Sequence, residues 1–229
     1  MKAATPLLLL SGALAASSRD VAARQSCAAV HVLGAREESN VPQGFGSTEA
    51  LVRMIQEAYP GATSEAIVYP AAGGEAYPPS VTAGIQAVVD QVSAYVAKCP
   101  DSAVVLVGYA QGSQIIDDAF CGGPDGNSMS ETAAPIPADV SEHVKALIFM
   151  SNPRNVPGLP YNVGTAKAGG FAQRDPGFVC PVYSDRIQSY CDAEDPYCCD
   201  GNNAMHRKQY VQIYGEHALA FIREKVGSV

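Results

Sequence analysis

Ala103-Val104-Val105-Leu106-Val107-Gly108-Tyr109-Ala110-Gln111-Gly112 is the stretch that decides the fold. Its apolar, β-branched start predicts a buried strand, and the residues from Gln111 onward predict a helix. Gly108 and Gly112 flank the junction, as in the Gly-x-Ser-x-Gly turn, where neighbouring backbone crowds a strained central residue. The central residue here is Ala110, which has no side-chain oxygen with which to attack a carbonyl.

Working outward, the same alternation recurs. Ala28 to Leu33 predicts a strand, and Ser47 to Tyr59 a helix with apolar positions Leu51, Met54, Ile55 and Ala58. Ala66 to Tyr69 reads as a second strand, and Val81 to Cys99 as a helix carrying Ile85, Val88, Val89, Val92 and Val96 on one face. The Ala103 to Val107 strand and the Gln111 to Phe120 helix follow, then a strand over Val144 to Met150. A Gly/Pro-rich region spans Pro157 to Pro181, Ile187 to Tyr190 is the expected last strand, and His206 to Val226 is helical with Gly215 as a weak point. Strands alternating with helices predict an α/β fold: a three-layer α/β/α sandwich around a parallel, doubly wound sheet, in one domain.

Of the 229 residues, 47% are hydrophobic and 17% charged, which excludes a disordered chain. The net charge of −8 disfavours nucleic acid as a partner. Lys2, the apolar run Pro6 to Leu14 and the small residues Ala13-Leu14-Ala15 form a signal-peptide pattern over residues 1–16. Residues 17–26 read as a propeptide or arm, and 27–229 as the folded domain. The apolar run is too short for a membrane span, so a secreted, soluble protein without membrane association is expected.

The seven cysteines are Cys27, Cys99, Cys121, Cys180, Cys191, Cys198 and Cys199. In an oxidising compartment most are expected in disulfides, and the odd count leaves at least one over. Cys198-Cys199 near His206 matches no familiar zinc spacing, so neither metal nor cofactor is assigned. Beyond Ala110, Asp195 lies between Cys191 and Cys198, and His206 follows. This is the order nucleophile, acid, base of an α/β-hydrolase triad, with the nucleophile position filled by alanine. Taken singly, Asp195 reads as a turn residue before Pro196 and His206 as a surface helix cap. Ser113, one helical turn past Ala110, is expected to face elsewhere, and His31, His143 and His217 are read as structural or exposed.

Several stretches resemble the fungal cutinase and acetylxylan esterase family, most closely the acetylxylan esterases. They are Val30-His31-Val32-Leu33-Gly34-Ala35-Arg36-Glu37, Val105 to Gly112, Tyr161-Asn162-Val163-Gly164-Thr165, and Ser189-Tyr190-Cys191 with Asp195-Pro196-Tyr197-Cys198-Cys199. The resemblance implies a lidless, monomeric, cofactor-free serine esterase acting on acetylated xylan or a small ester. It places Ala110 at the nucleophile, Asp195 and His206 as acid and base, and the Gln111 N–H in the oxyanion hole. Glu38 falls where the family carries Ser or Thr as the second oxyanion donor. Tyr109 and Tyr197 are expected at the substrate pocket, although a loop-packing role for Tyr197 is equally open. The implied disulfides are Cys27–Cys99, Cys121–Cys180 and Cys191–Cys198, leaving Cys199 free.

Three functions remain on this reading: an ordinary esterase, a non-catalytic carbohydrate or ester binder, and a secreted interaction protein. Ala110 is either an engineered knock-out or a natural loss. Glu38 and the odd cysteine, as further departures, favour the natural one.

Overall fold

The computed structural model describes residues 27–38, 43–123 and 135–228; the expected signal peptide and arm lie outside them. Six parallel strands form one sheet: β1 (Val30–Ala35), β2 (Thr63–Ala66), β3 (Ala103–Tyr109), β4 (Val144–Met150), β5 (Asn162–Val163) and β6 (Ile187–Tyr190). Their order across the sheet is β2-β1-β3-β4-β6-β5. The α-helices among the described residues are α1 (Glu49–Ala58), α2 (Tyr77–Lys98), α3 (Gln111–Cys121), α4 (Ala138–Ser141) and α5 (Tyr210–Val226).

The period of two along each strand divides the core into two layers. Leu33, Ala35, Val104 and Leu106 pack with Val81, Val88 and Val92 of α2 and Ile115, Ile116 and Phe120 of α3. Val30, Val32, Val105, Val107 and Ile148 face the other way, against Leu51, Val52 and Ile55 of α1 and Leu219 and Ile222 of α5. The expected α/β/α sandwich is therefore present.

Most boundaries shift by a few residues, and two strands depart further from the sequence reading. β2 covers Thr63–Ala66 instead of Ala66 to Tyr69. It is a polar, half-exposed edge strand, and the apolar Ile67 and Tyr69 are buried in the turn that follows it. β5 is a two-residue strand inside the Gly/Pro-rich region, too short to leave a periodic signal. Gly215 does not interrupt α5. A Cβ there would lie 3.1 Å from Met54 Sδ, so this glycine lets α5 approach α1 closely.

The connection from β1 runs to β2 on one side of it, while β3 lies on the other. The crevice beyond the carboxyl ends of β1 and β3 is thus the switch point at which open α/β sheets place ligands. Glu38 follows β1 and Ala110 follows β3 at that end of the sheet.

Candidate active site

Ala110 lies between β3 and α3 with φ 46° and ψ −116°, a left-handed backbone conformation for a residue carrying a Cβ. Its N–H donates to Met150 O at 2.8 Å, and its carbonyl accepts from Ser113 and Gln114 at 2.9 and 3.1 Å. The flanking glycines are sterically required. A Cβ on Gly108 would lie 2.5 Å from Ser113 Cα, and one on Gly112 would lie 2.0 Å from Ala35 O. This is the geometry of a nucleophile elbow, with a methyl group at its apex. Ser113 is buried, its hydroxyl donating to Met150 O at 3.0 Å and accepting from Met150 N–H at 3.1 Å, so it is structural.

Gln111 opens α3, so its N–H is among the first-turn donors without an intrahelical acceptor. Its side chain is fixed and fully buried: Nε2 donates to Ala72 O at 2.9 Å and Oε1 accepts from Ser80 Oγ at 2.9 Å. Glu38 is ion-paired with Arg207, whose guanidinium lies 4.2 Å over the Tyr197 ring. A carboxylate held by a guanidinium accepts hydrogen bonds, so the Glu38 side chain offers no donor to an oxyanion, and only its backbone N–H could serve as one. Arg207 offsets its charge.

Tyr109 is not a pocket residue. It is 1% exposed, its hydroxyl donates to the Arg207 carbonyl and accepts from Tyr210 N–H, and burial pushes its pKa up. It ties the elbow to the short 3-10 turn His206–Gln209. Tyr197 is half-buried, with its backbone N–H on Asp195 Oδ1 at 2.7 Å and its ring beneath Arg207.

The acid beside His206 differs from the sequence expectation. His206 Nε2 meets Asp192 Oδ2 at 2.8 Å, and Asp195 makes no hydrogen bond to the imidazole. Asp192 is anchored by residues remote in sequence: its Oδ1 accepts from the Thr165 N–H (3.0 Å), Thr165 Oγ1 (3.1 Å) and the Tyr214 hydroxyl (2.7 Å). Burial raises the Asp192 carboxyl, but hydrogen bonds from His206, Tyr214 and Thr165 outweigh it and hold the pKa below the ordinary carboxylate value. Asp195 is fully buried, with Oδ1 accepting from the N–H groups of Tyr197 and Cys198. Two aspartates three residues apart, Asp192 and Asp195, were visible in the sequence. What could not be seen was Thr165 and Tyr214 converging on the first of them.

All three implied disulfides are present: Cys27–Cys99, Cys121–Cys180 and Cys191–Cys198, with Cys199 free and buried. Among the described residues, no group of three or more His, Cys, Asp or Glu is placed to hold a metal ion. A groove of about 540 Å³ between α1 and the start of α5 is lined by Ser47, Arg53, Met54, Lys208 and Gln212; neither Ala110 nor His206 borders it. His31 is structural, stacked at 3.6 Å on Tyr95 and bonded to Thr63 Oγ1, and His217 meets the Tyr190 hydroxyl at 3.0 Å.

A parallel six-stranded sheet flanked by helices, with a strained elbow at its switch point, defines an α/β-hydrolase fold. Residues 26–226 match the cutinase family, and the chain belongs to it. It is 48% identical to Cutinase 11 of Verticillium dahliae over 231 residues, covering 98% of this chain and 78% of that protein. It is likewise 48% identical to an acetylxylan esterase of Hypocrea jecorina over 235 residues, covering 98% of this chain and 77% of that one. The solved catalytic core of an acetyl xylan esterase from Trichoderma reesei superposes with a TM-score of 0.82 at 50% identity, covering 87% of this chain and 99% of that one.

Proposed function

We propose that this chain is a secreted member of the family that binds acetylated xylan or a related ester without hydrolysing it. Ala110 carries the reading: the elbow keeps its strain, its glycines and its backbone hydrogen bonds, yet its apex holds a methyl group where the family reaction needs a hydroxyl. Deleting the serine of a triad hydrolase typically lowers kcat by roughly 10⁶-fold. Glu38 is a second departure, because its side chain supplies no donor where the family carries a Ser or Thr hydroxyl; loss of one oxyanion donor is worth roughly 10²–10³-fold in kcat. Secretion is supported by the signal-peptide pattern and the disulfides. The polysaccharide ligand is supported by the relatives named as acetylxylan esterases.

The test combines turnover with binding. The purified protein should release no acetate from acetylated xylan and no product from p-nitrophenyl acetate above background, while calorimetry detects acetylated xylo-oligosaccharide. Ala110→Ser should restore weak activity, and Ala110→Ser with Glu38→Ser more. Turnover by the unmodified chain at the level of an active relative would refute the proposal. So would a full recovery on Ala110→Ser alone, which would mark a simple knock-out. Absence of both turnover and polysaccharide binding would shift the function to a protein partner.

A further inference from the structure

Two glutamates follow β1, and they take partners in different directions. Glu37 turns to Ser47, just ahead of α1: Oε2 accepts from the Ser47 N–H at 2.9 Å and Oε1 from Ser47 Oγ at 2.7 Å. Glu38 reaches the other way, its Oε1 accepting from Arg207 Nη1. Arg207 follows β6 in the chain, and the sheet order β2-β1-β3-β4-β6-β5 puts β3 and β4 between β1 and β6. Ala35 pairs with Gly108, so Glu38 and Ala110 leave neighbouring strands at nearly the same level. An ion pair from the end of β1 to a turn beyond β6 therefore crosses the carboxyl end of β3, where Ala110 sits.

Both ends of this contact are tied to the elbow. The Arg207 carbonyl accepts from the hydroxyl of Tyr109, the residue before Ala110, and its guanidinium lies 4.2 Å over the Tyr197 ring. Glu38 Cγ lies 3.8 Å from where a Cβ on Gly73 would stand, and the adjoining Ala72 carbonyl holds the Gln111 side chain. The two charged side chains are largely covered, 24% exposed for Glu38 and 16% for Arg207. Ala110 itself is 1% exposed. A nucleophile elbow presents its apex to the substrate; this apex is shut in.

We infer that the Glu38–Arg207 pair is a strap across the crevice, which parts before an ester reaches Ala110. Closed, it holds the loop after β1 to the turn that carries His206. Parted, it uncovers the elbow apex and the Tyr197 ring together. Glu37 cannot take its place, because both its oxygens are engaged by Ser47. The inference rests on the proposed function for what enters, an acetyl ester of xylan, and not for the closure itself.

Thiol labelling of Ala110→Cys reads the closure without any ligand. Iodoacetamide is small and neutral, and mass spectrometry follows its adduct at position 110, with the buried Cys199 as internal reference. Arg207→Ala should accelerate labelling at position 110 about 5-fold, the opening expected when one half-buried ion pair and one cation–π contact are lost. Cys199 should be unaffected. Electrostatics alone predicts the reverse, because removing a nearby cation lowers the thiolate fraction. Arg207→Met, which keeps an apolar stem over Tyr197, should give the same acceleration and decides the matter if Arg207→Ala does not fold. Adding Glu38→Gln to either variant should gain less than about 2-fold, since the pair is already parted. Labelling that is unchanged or slower without the Arg207 guanidinium overturns the strap. So does an equal acceleration at Cys199, which would mean general loosening, or a second gain of full size from Glu38→Gln. If calorimetry detects no acetylated xylo-oligosaccharide, the ligand reading fails while the labelling rates still decide the strap.

Discussion

At the Ala110 elbow the chain is held by backbone, whereas from Cys191 to His206 it is held by side chains. The elbow's hydrogen bonds run to Met150 O, Ser113 N and Gln114 N, and its neighbours approach so closely that only glycine fits at positions 108 and 112. The loop depends instead on a disulfide, on Thr165 and Tyr214 reaching Asp192, and on Asp195 reaching the Tyr197 and Cys198 amides. Backbone constraints survive substitution of the residue they surround, so an alanine can occupy the apex with the elbow intact. Side-chain constraints reach instead across the sequence, as Thr165 and Tyr214 do to Asp192. The Tyr109 hydroxyl on the Arg207 carbonyl joins the two regions.

The sharpest way to break the contrast is Gly112→Ala. Its Cβ would sit 2.0 Å from Ala35 O, a backbone atom that cannot step aside. A destabilisation of about 4 kcal/mol or more is expected, measured as a lower midpoint in chemical denaturation. A fully stable variant would mean that the elbow is more pliable than its contacts indicate. Replacing Cys191 and Cys198 together by serine tests the loop and should have a smaller effect. Closing so short a loop contributes about 2–3 kcal/mol on the chain-entropy account. The loss should leave the Ala110 backbone amide as protected from hydrogen exchange as before.

The smallest effect concerns acid. Because the folded-state pKa of Asp192 is depressed, its ionisation stabilises the fold above the unfolded value of about 3.9. That contribution is lost as pH falls through the folded value. Asp192→Asn should therefore be less stable than the wild type at pH 6, and the gap should close below about pH 4. Denaturation midpoints from pH 3 to 6 would show it, and a constant gap would contradict the assignment.

Much of the fold was legible because buried parallel strands are written as apolar runs: Val144–Met150 and Ile187–Tyr190 have the limits expected from sequence. β2 was displaced because an edge strand needs only one covered face, and Thr63-Ser64-Glu65-Ala66 has no apolar run. At the site, the elbow could be read locally, since its glycines and its apex are neighbours in sequence. The partner of His206 could not be, because Asp192 is oriented by residues 27 and 22 positions away. Nor could the fate of Glu38, whose ion-pair partner Arg207 is 169 residues distant.

The free Cys199 has a consequence for how this chain acquires its disulfides. Cys191 has closed on Cys198 and not on the thiol beside it. The two rings differ by one residue, a difference in closure entropy of about 0.1 kcal/mol, so chain statistics cannot choose between them. The choice falls to the hydrogen bonds that aim Cys198 inward: its N–H on Asp195 and its carbonyl on Asn155 Nδ2. In the folded loop, these hydrogen bonds hold Cys198 and not Cys199 against Cys191.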